Sequence, residues 1–207
     1  MRSEFQFPSG FLLLPEYFSR QAQENLLHLV RKAVQSAPLY RPVMPRTGKP
    51  LSVRMSNFGP LGWITSKEGY RYGLHHPVTN KPWPPLPACL AALWQDVTNW
   101  PDLPEACLIN YYDEKARLGL HVDADENAAK APIVSVSLGD QALFRLGGPR
   151  RNDPTRSLRL SSGDVVVLGG AARHCYHGVD RIYPNTSTLL PKGGRINLTM
   201  RVVGRNT

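Results

Sequence analysis

His121-Val122-Asp123 sets an imidazole and a carboxylate two positions apart. In a β-strand, residues i and i+2 project to the same face, so both groups would point into one space. A second histidine from a distant strand would complete a two-histidine, one-carboxylate set. Such a set binds Fe(II) on one side and leaves open positions for a bidentate cosubstrate and O2. His177 is the natural candidate, because it follows the strand-like stretch 173–176 and precedes Gly178, which lets the chain turn close to a metal. His174 is the rival, further from that turn. An HxD pair also occurs in ordinary surface turns, so it cannot carry the reading alone. A calcium loop through Asp123, Asp125 and Asn127 fails, because Ala128 stands where the sixth-position Gly belongs and Val134 where the twelfth-position Glu belongs. His75-His76 falls in a Pro-rich loop and reads as structural or incidental.

The last apolar segment adds a second chemistry. Arg195, Asn197, Thr199 and Arg201 alternate with Ile196, Leu198, Met200 and Val202. In a strand the two arginines share a face about 20 Å apart along the backbone. Their side chains can tilt towards each other and narrow that gap to a few Å. The gap suits a short dicarboxylate or an arginine–carboxylate–metal cluster, since bidentate pairing with a carboxylate is the strong geometry for arginine. A solvent-facing strand would carry arginines too. A buried polar face opposite the HxD segment favours the binding role.

These groups need a scaffold. Two helices are expected, one over Phe18–Gln35 with Leu26, Leu27, Val30, Ala33 and Val34 as its apolar stripe, and one over Leu86–Asn99 with Leu90, Leu93, Trp94 and Val97. Between them Arg41–Pro87 reads as a long loop rich in Pro, Gly and aromatics, a length that usually has a function. From Cys107 onward the texture is short strands and turns. Val134, Val136 and Leu138 alternate with serines, Ala142, Phe144 and Leu146 follow, and Asp164–Leu168 starts from a Ser162-Gly163-Asp164 turn. Many short strands predict an antiparallel sandwich or jelly roll. With helices first and strands second, the fold class is α+β. One domain over 1–207 is expected, with about 1–100 as an extension and 101–207 as the catalytic core.

The bulk numbers fit. The chain has 207 residues, 42% hydrophobic and 20% charged, which suits a globular protein and excludes a disordered one. A net charge of +9 leans towards a polyanionic partner. Three cysteines without a CxxC pair argue against a disulfide framework or zinc ribbon. The apolar run Phe11–Leu14 is too brief for a signal peptide, and no stretch reaches membrane-spanning length. A cytoplasmic monomer is expected.

Taken in order, several segments resemble the AlkB family of oxidative demethylases. They are Leu61-Gly62-Trp63, Gly69-Tyr70, Asn80-Lys81-Pro82-Trp83-Pro84, Cys107-Leu108-Ile109-Asn110-x-Tyr112, His121-x-Asp123-x-Asp125-Glu126, Ala131–Gly139, Arg151-Asn152-Asp153-Pro154, Gly163–Val167, Tyr176-His177-Gly178 and Arg195-x-Asn197-Leu198-Thr199-x-Arg201. The resemblance runs through nearly the whole chain. It implies a double-stranded β-helix, a jelly-roll variant, preceded by a nucleotide-recognition lid. It implies that His121, Asp123 and His177 hold Fe(II), and that Asn110, Tyr112, Arg195 and Arg201 contact 2-oxoglutarate with help from Asn197. Trp63 would stack on the base opposite His121, Tyr70 and Arg151 would contact the nucleic acid, Asp125 would face the base and Met55 would line the pocket. The implied activity is oxidative demethylation of bases such as N1-methyladenine and N3-methylcytosine, using O2 and releasing formaldehyde, succinate and CO2. Single-stranded or damaged nucleic acid would be the partner, with DNA favoured over RNA. Two positions depart from the family pattern: Leu168 stands where a bacterial member carries Trp, and Tyr111 replaces a basic residue. Three alternatives compete: the same oxygenase chemistry on another substrate, a non-catalytic nucleic-acid-binding jelly roll, and a zinc hydrolase. The intact HxD…H set and the paired arginines argue against the last two.

Overall fold

The strand texture resolves into two antiparallel sheets and a hairpin in the computed structural model, which describes residues 7–204. In chain order the elements are β1 (Phe11–Leu14), α1 (Arg20–Ser36), β2 (Arg54–Phe58), β3 (Gly62–Ser66), β4 (Gly69–Gly73), α2 (Ala88–Val97), β5 (Ala106–Tyr112) and β6 (Leu118–His121). They continue as β7 (Ile133–Gly139), β8 (Gln141–Leu146), β9 (Arg156–Leu160), β10 (Val165–Leu168), β11 (His177–Tyr183) and β12 (Arg195–Arg201). The major sheet runs β1-β10-β7-β12-β5-β2, and the minor sheet β6-β11-β8-β9. β3 and β4 pair with each other alone. This is the mostly-β jelly roll expected from the sequence.

Both helices lie close to their expected positions. Ser19 caps α1 by accepting from the Ala22 N–H at 3.3 Å, which moves the start past Phe18. Pro87 precedes α2, fitting a residue whose missing N–H costs nothing at a helix start. Their apolar stripes bury Leu26, Leu27, Val30, Leu90, Leu93 and Trp94 against Cys107, Ile109, Val136, Ile196, Leu198 and Met200 of the major sheet. The other face of that sheet looks into the roll. There Tyr112, Ile133, Val166 and Leu168 meet Phe144, Leu146, Leu160, Val179 and Ile182.

The major sheet is therefore buried on both faces, and every residue of β12 is buried. This places Arg195, Asn197 and Thr199 inside the roll rather than in solvent. It also yields a stability prediction. Leu198 is fully buried on the central strand, and Leu198→Ala should cost about 2–5 kcal/mol. Leu12, 44% exposed on edge strand β1, should tolerate alanine within about 0.5 kcal/mol. Urea titration followed by circular dichroism measures both.

Three expectations need correction. The stretch Arg41–Pro87 is not a loop throughout, since it contains β2, β3 and β4. β2 adds an edge to the major sheet by pairing with β5, so Met55 lies opposite Asn110. Its pattern is not alternating, because four of its five residues are buried. β1 joins the opposite edge through β10, so the core sheet draws two strands from before residue 100. Residues 170–174 form a 3-10 turn, not a strand, and β11 begins only at His177. β10 starts at Val165, and Asp164 just before it closes the turn, its carboxylate accepting from the N–H groups of Ser161 and Glu16. Gly163 supplies the expected turn at φ +95°. Among the described residues, no helix is long and apolar enough to cross a membrane.

Candidate iron and cosubstrate site

β6 and β11 pair so that His121 and His177 sit directly opposite each other. Their ring centroids are 4.6 Å apart. Gly178 permits this approach, since a Cβ there would fall 2.6 Å from the Leu118 carbonyl oxygen. His121 Nδ1 lies 2.9 Å from the Gly119 carbonyl and His177 Nδ1 lies 3.0 Å from that of Cys175. A carbonyl only accepts, so both Nδ1 atoms carry the proton and both Nε2 lone pairs are free for a metal. His174 is exposed and outside this group.

β6 ends at His121, so Asp123 does not share a strand face with it, as the spacing argument supposed. Two buried arginines hold Asp123 in place instead. Arg201 Nη2 donates to Asp123 Oδ1 at 2.8 Å, and Arg173 Nη1 donates to the Asp123 carbonyl at 2.6 Å. The carboxylate oxygens each lie 3.6 Å from a histidine Nε2. Ligand atoms of His121, Asp123 and His177 all fall within 4.8 Å of one another, the one such group among the described residues. Burial opposes the charge on Asp123, but the Arg201 guanidinium overcomes it and holds its pKa well below the usual carboxylate range. Desolvation and the neighbouring His177 lower the pKa of His121, against the opposing pull of Asp123. Asp123 Oδ2 is buried and has no hydrogen-bond partner among the described residues. The donor set fits Fe(II) on all these counts.

Deeper in the roll, β12 lies between β5 and β7. Arg195 is opposite Tyr112, and Asn197 is opposite both Asn110 and Ser137. Arg195, Tyr112, Asn197 and Asn110 line a cavity with His121, His177, Ser135 and Thr199. Arg195 is buried. It donates from Nη2 to Ser137 Oγ at 2.9 Å and lies 5.4 Å above the Tyr112 ring centre, while Nε and Nη1 find no partner. Burial lowers its pKa, an effect that Tyr112 and Asp164 partly offset. Asn110 Oδ1 is also buried without a partner. An unpaired buried guanidinium is costly unless an anion answers it, so this pocket fits an acidic cosubstrate. Arg201 differs: both of its terminal nitrogens are engaged by Asp123, Glu126 and Tyr72 and only Nε is free. Of the two geometries expected for the arginines, this end shows an arginine–carboxylate pair on a candidate metal ligand, and the less engaged guanidinium is that of Arg195.

The β3–β4 hairpin roofs the metal end. Met55, Trp63, Tyr70 and Asp125 line one cleft of about 240 Å³ together with Asn110, His121 and Asp123. Trp63 stacks on Tyr70 with ring centres 5.0 Å apart and planes at 19°. Its indole N–H donates to Asp125 Oδ2 at 2.8 Å, so Trp63 and Asp125 brace each other. Tyr70 remains 47% exposed. Arg151 is not a cleft residue: it donates to the Leu120 carbonyl at 3.2 Å and lies over the Tyr176 ring, outside but adjacent to His121. Arg145 engages Thr155 and Asp180, and Arg159 covers the Tyr183 ring, as members of a solvated face. At the departures, Leu168 packs into the roll and Tyr111 carries the Arg54 guanidinium 4.6 Å above its ring. A basic group thus returns to that neighbourhood from β2. His76 is bonded to the Pro38 carbonyl and the Val78 and Thr79 N–H groups, a structural role. Sequence reasoning missed Arg173 and Tyr72 and assigned no role to Glu126. Nothing in their spacing marks them, because they converge from three separate elements.

A jelly roll with three metal donors at one end and an unanswered arginine behind them belongs to the iron oxygenases that take an acidic cosubstrate. Comparison with known proteins narrows the class. Residues 10–201 match the 2OG-Fe(II) oxygenase superfamily. The alpha-ketoglutarate-dependent dioxygenase AlkB homolog of Caulobacter vibrioides is 48% identical over 194 residues, covering 93% of this chain and 87% of that protein. Alpha-ketoglutarate-dependent dioxygenase AlkB of Escherichia coli is 43% identical over 192 residues, 91% of this chain and 88% of its own. The solved structure of OsALKBH1 matches with a TM-score of 0.79 at 31% identity, over 95% of this chain and 100% of the other. The chain belongs to the AlkB family within the 2OG-Fe(II) oxygenase superfamily. It is a dioxygenase that uses Fe(II), 2-oxoglutarate and O2.

Proposed function

We propose that this dioxygenase removes methyl groups from alkylated bases as a direct reversal of DNA damage, working as a cytoplasmic monomer. Its substrates are N1-methyladenine and N3-methylcytosine in single-stranded DNA, with RNA as a second acceptor. The observation that carries this reading is the aromatic cleft that opens onto His121 and Asp123. A flat base entering it meets the Trp63–Tyr70 stack, and every base has a face to stack. The target must first leave its stack, which favours single strands. Both methylated bases are cationic, and the Asp125 carboxylate at the cleft attracts a cation by Coulomb's law. The net charge of +9 and Arg151 beside the metal end support contact with phosphates. Relatives in Arabidopsis are named DNA N(6)-methyladenine demethylases, and one in Schizosaccharomyces pombe a tRNA demethylase. Three free cysteines support a reducing compartment.

In this reading His121, Asp123 and His177 hold Fe(II). Arg195 anchors one carboxylate of 2-oxoglutarate, with Asn110, Tyr112 and Asn197 around it, and Arg201 serves the metal end. Iron, 2-oxoglutarate and O2 together supply the oxidation that hydroxylates the N-methyl carbon, and the carbon leaves as formaldehyde while succinate and CO2 form. The chain's residues orient these reactants, keep water from the roll through its apolar lining and hold the methyl near the metal.

The test is a single-stranded oligonucleotide containing N1-methyladenine, incubated with enzyme, Fe(II), 2-oxoglutarate and ascorbate. Formaldehyde formed only with 2-oxoglutarate is the expected result. Succinate without formaldehyde would leave an oxygenase with a different substrate. Trp63→Ala should weaken oligonucleotide binding by about 1–3 kcal/mol, raising Kd about 5- to 150-fold, with 2-oxoglutarate binding unchanged. Fluorescence anisotropy of the labelled oligonucleotide and calorimetry of the cosubstrate measure the two.

A further inference from the structure

We propose that Glu126, together with Tyr72, positions the metal-binding carboxylate of Asp123; the inference rests on His121, Asp123 and His177 being the metal site. Asp123 lies on no strand, so something other than a ladder must set its orientation. Arg201 grips its side chain and Arg173 grips its carbonyl. Both guanidiniums converge on one further group. Glu126 Oε2 accepts from Arg173 Nη2 at 3.0 Å, and Oε1 accepts from Arg201 Nη1 at 3.3 Å. The Glu126 side chain is 0% exposed. Arg173 is anchored in turn, donating from Nε to the Ala131 carbonyl at 2.9 Å. Tyr72 completes the set, donating its hydroxyl to Glu126 Oε1 and accepting from Arg201 Nη1 at 3.1 Å.

Charge shows why Glu126 is needed. Two cations, Arg173 and Arg201, face two anions, Asp123 and Glu126. With Glu126 neutral, both guanidiniums would compete for Asp123, and one uncompensated positive charge would stand beside a site for a dication. With Glu126 charged, Arg201 has a second partner and takes only Oδ1, leaving Oδ2 without a hydrogen-bond partner among the described residues and turned to His177. Tyr72 lies opposite Trp63 in the β3–β4 register, so the same hydroxyl fastens the base-stacking hairpin to this cluster.

The test uses the full chain and Co(II) as probe, read by its visible absorption, with melting of the metal-free protein followed in parallel. Tyr72→Phe keeps the ring and deletes one hydroxyl. It should weaken Co(II) binding roughly three- to tenfold and shift the Co(II) bands, beyond any fall in metal-free melting from the lost hydrogen bonds. Glu126→Gln should weaken binding roughly 10- to 100-fold, the range for partners that orient a ligand. If it does not fold, Tyr72→Phe carries the test alone. Wild-type Co(II) affinity and spectrum in Tyr72→Phe overturn the positioning role. So does an affinity loss matched by an equal loss of metal-free stability, which marks packing alone. Co(II) retained by His121→Ala overturns the metal site and this inference with it, whereas Co(II) lost there but kept in Tyr72→Phe and Glu126→Gln overturns the positioning role only.

Discussion

His177→Ala should abolish iron-dependent turnover, while His174→Ala, three residues earlier, should leave it near wild type. Both positions are histidines at the same end of the roll, so composition does not separate them. Geometry does. His177 opens β11 directly across from His121, with its Nδ1 committed to the Cys175 carbonyl and its Nε2 3.6 Å from Asp123 Oδ2. His174 ends a 3-10 turn and is exposed. Groups that merely orient a metal ligand cost about 10- to 100-fold when removed, so loss of a ligand should exceed ~100-fold, or ~2.7 kcal/mol. Succinate release at saturating Fe(II) measures it, with Co(II) binding as a check that does not depend on turnover. Equal losses in the two variants would refute the assignment of His177.

Arg195→Met should raise the KM for 2-oxoglutarate far more than it lowers kcat, and it should also make the cosubstrate-free protein more stable. Both effects follow from one fact: Arg195 is a buried cation that, among the described residues, makes no ion pair and has two nitrogens without a hydrogen-bond partner. Removing one side of a buried hydrogen-bonded charge pair costs about 2–5 kcal/mol, or ~30- to ~5000-fold in affinity. Methionine has a similar reach, packs against the Tyr112 ring and removes the desolvation cost of the charge. Opposite signs for binding and stability are the mark of a group kept for function. Arg195→Lys should recover little, because a point charge does not reproduce a bidentate fork. Isothermal titration with 2-oxoglutarate and thermal melting test the pair. A destabilised Arg195→Met with normal cosubstrate affinity would make Arg195 a structural residue.

Local pattern predicted α1 and α2 to within a few residues, because an apolar stripe at helical spacing and a cap such as Ser19 are local properties. It predicted β7, β8 and β12 for the same reason. It missed β2, β3 and β4, whose short segments hold their shape by pairing: β2 against β5, and β3 against β4. It also misread the role of extended spacing at Asp123. The HxD pair does place two donors near each other, but Arg201 on the carboxylate and Arg173 on the main-chain carbonyl, not a pleat, hold Asp123.

By itself, the sequence determined the inventory of chemistry: imidazoles and a carboxylate suited to Fe(II), arginines suited to an acid, aromatics suited to a base and a surplus of positive charge. Those are properties of side chains and survive in any list of residues. Only the tertiary structure decided which of them act together. Pairing of β6 with β11 selects His177, and burial of both faces of the major sheet turns the polar side of β12 inward. The cluster of Glu126, Arg173, Tyr72 and Arg201 commits one arginine to the metal carboxylate and leaves Arg195 with the unpaired charge. The physical reason is that charge pairing acts over a few Å, and residues 72, 126, 173 and 201 come within that range only when the roll has closed.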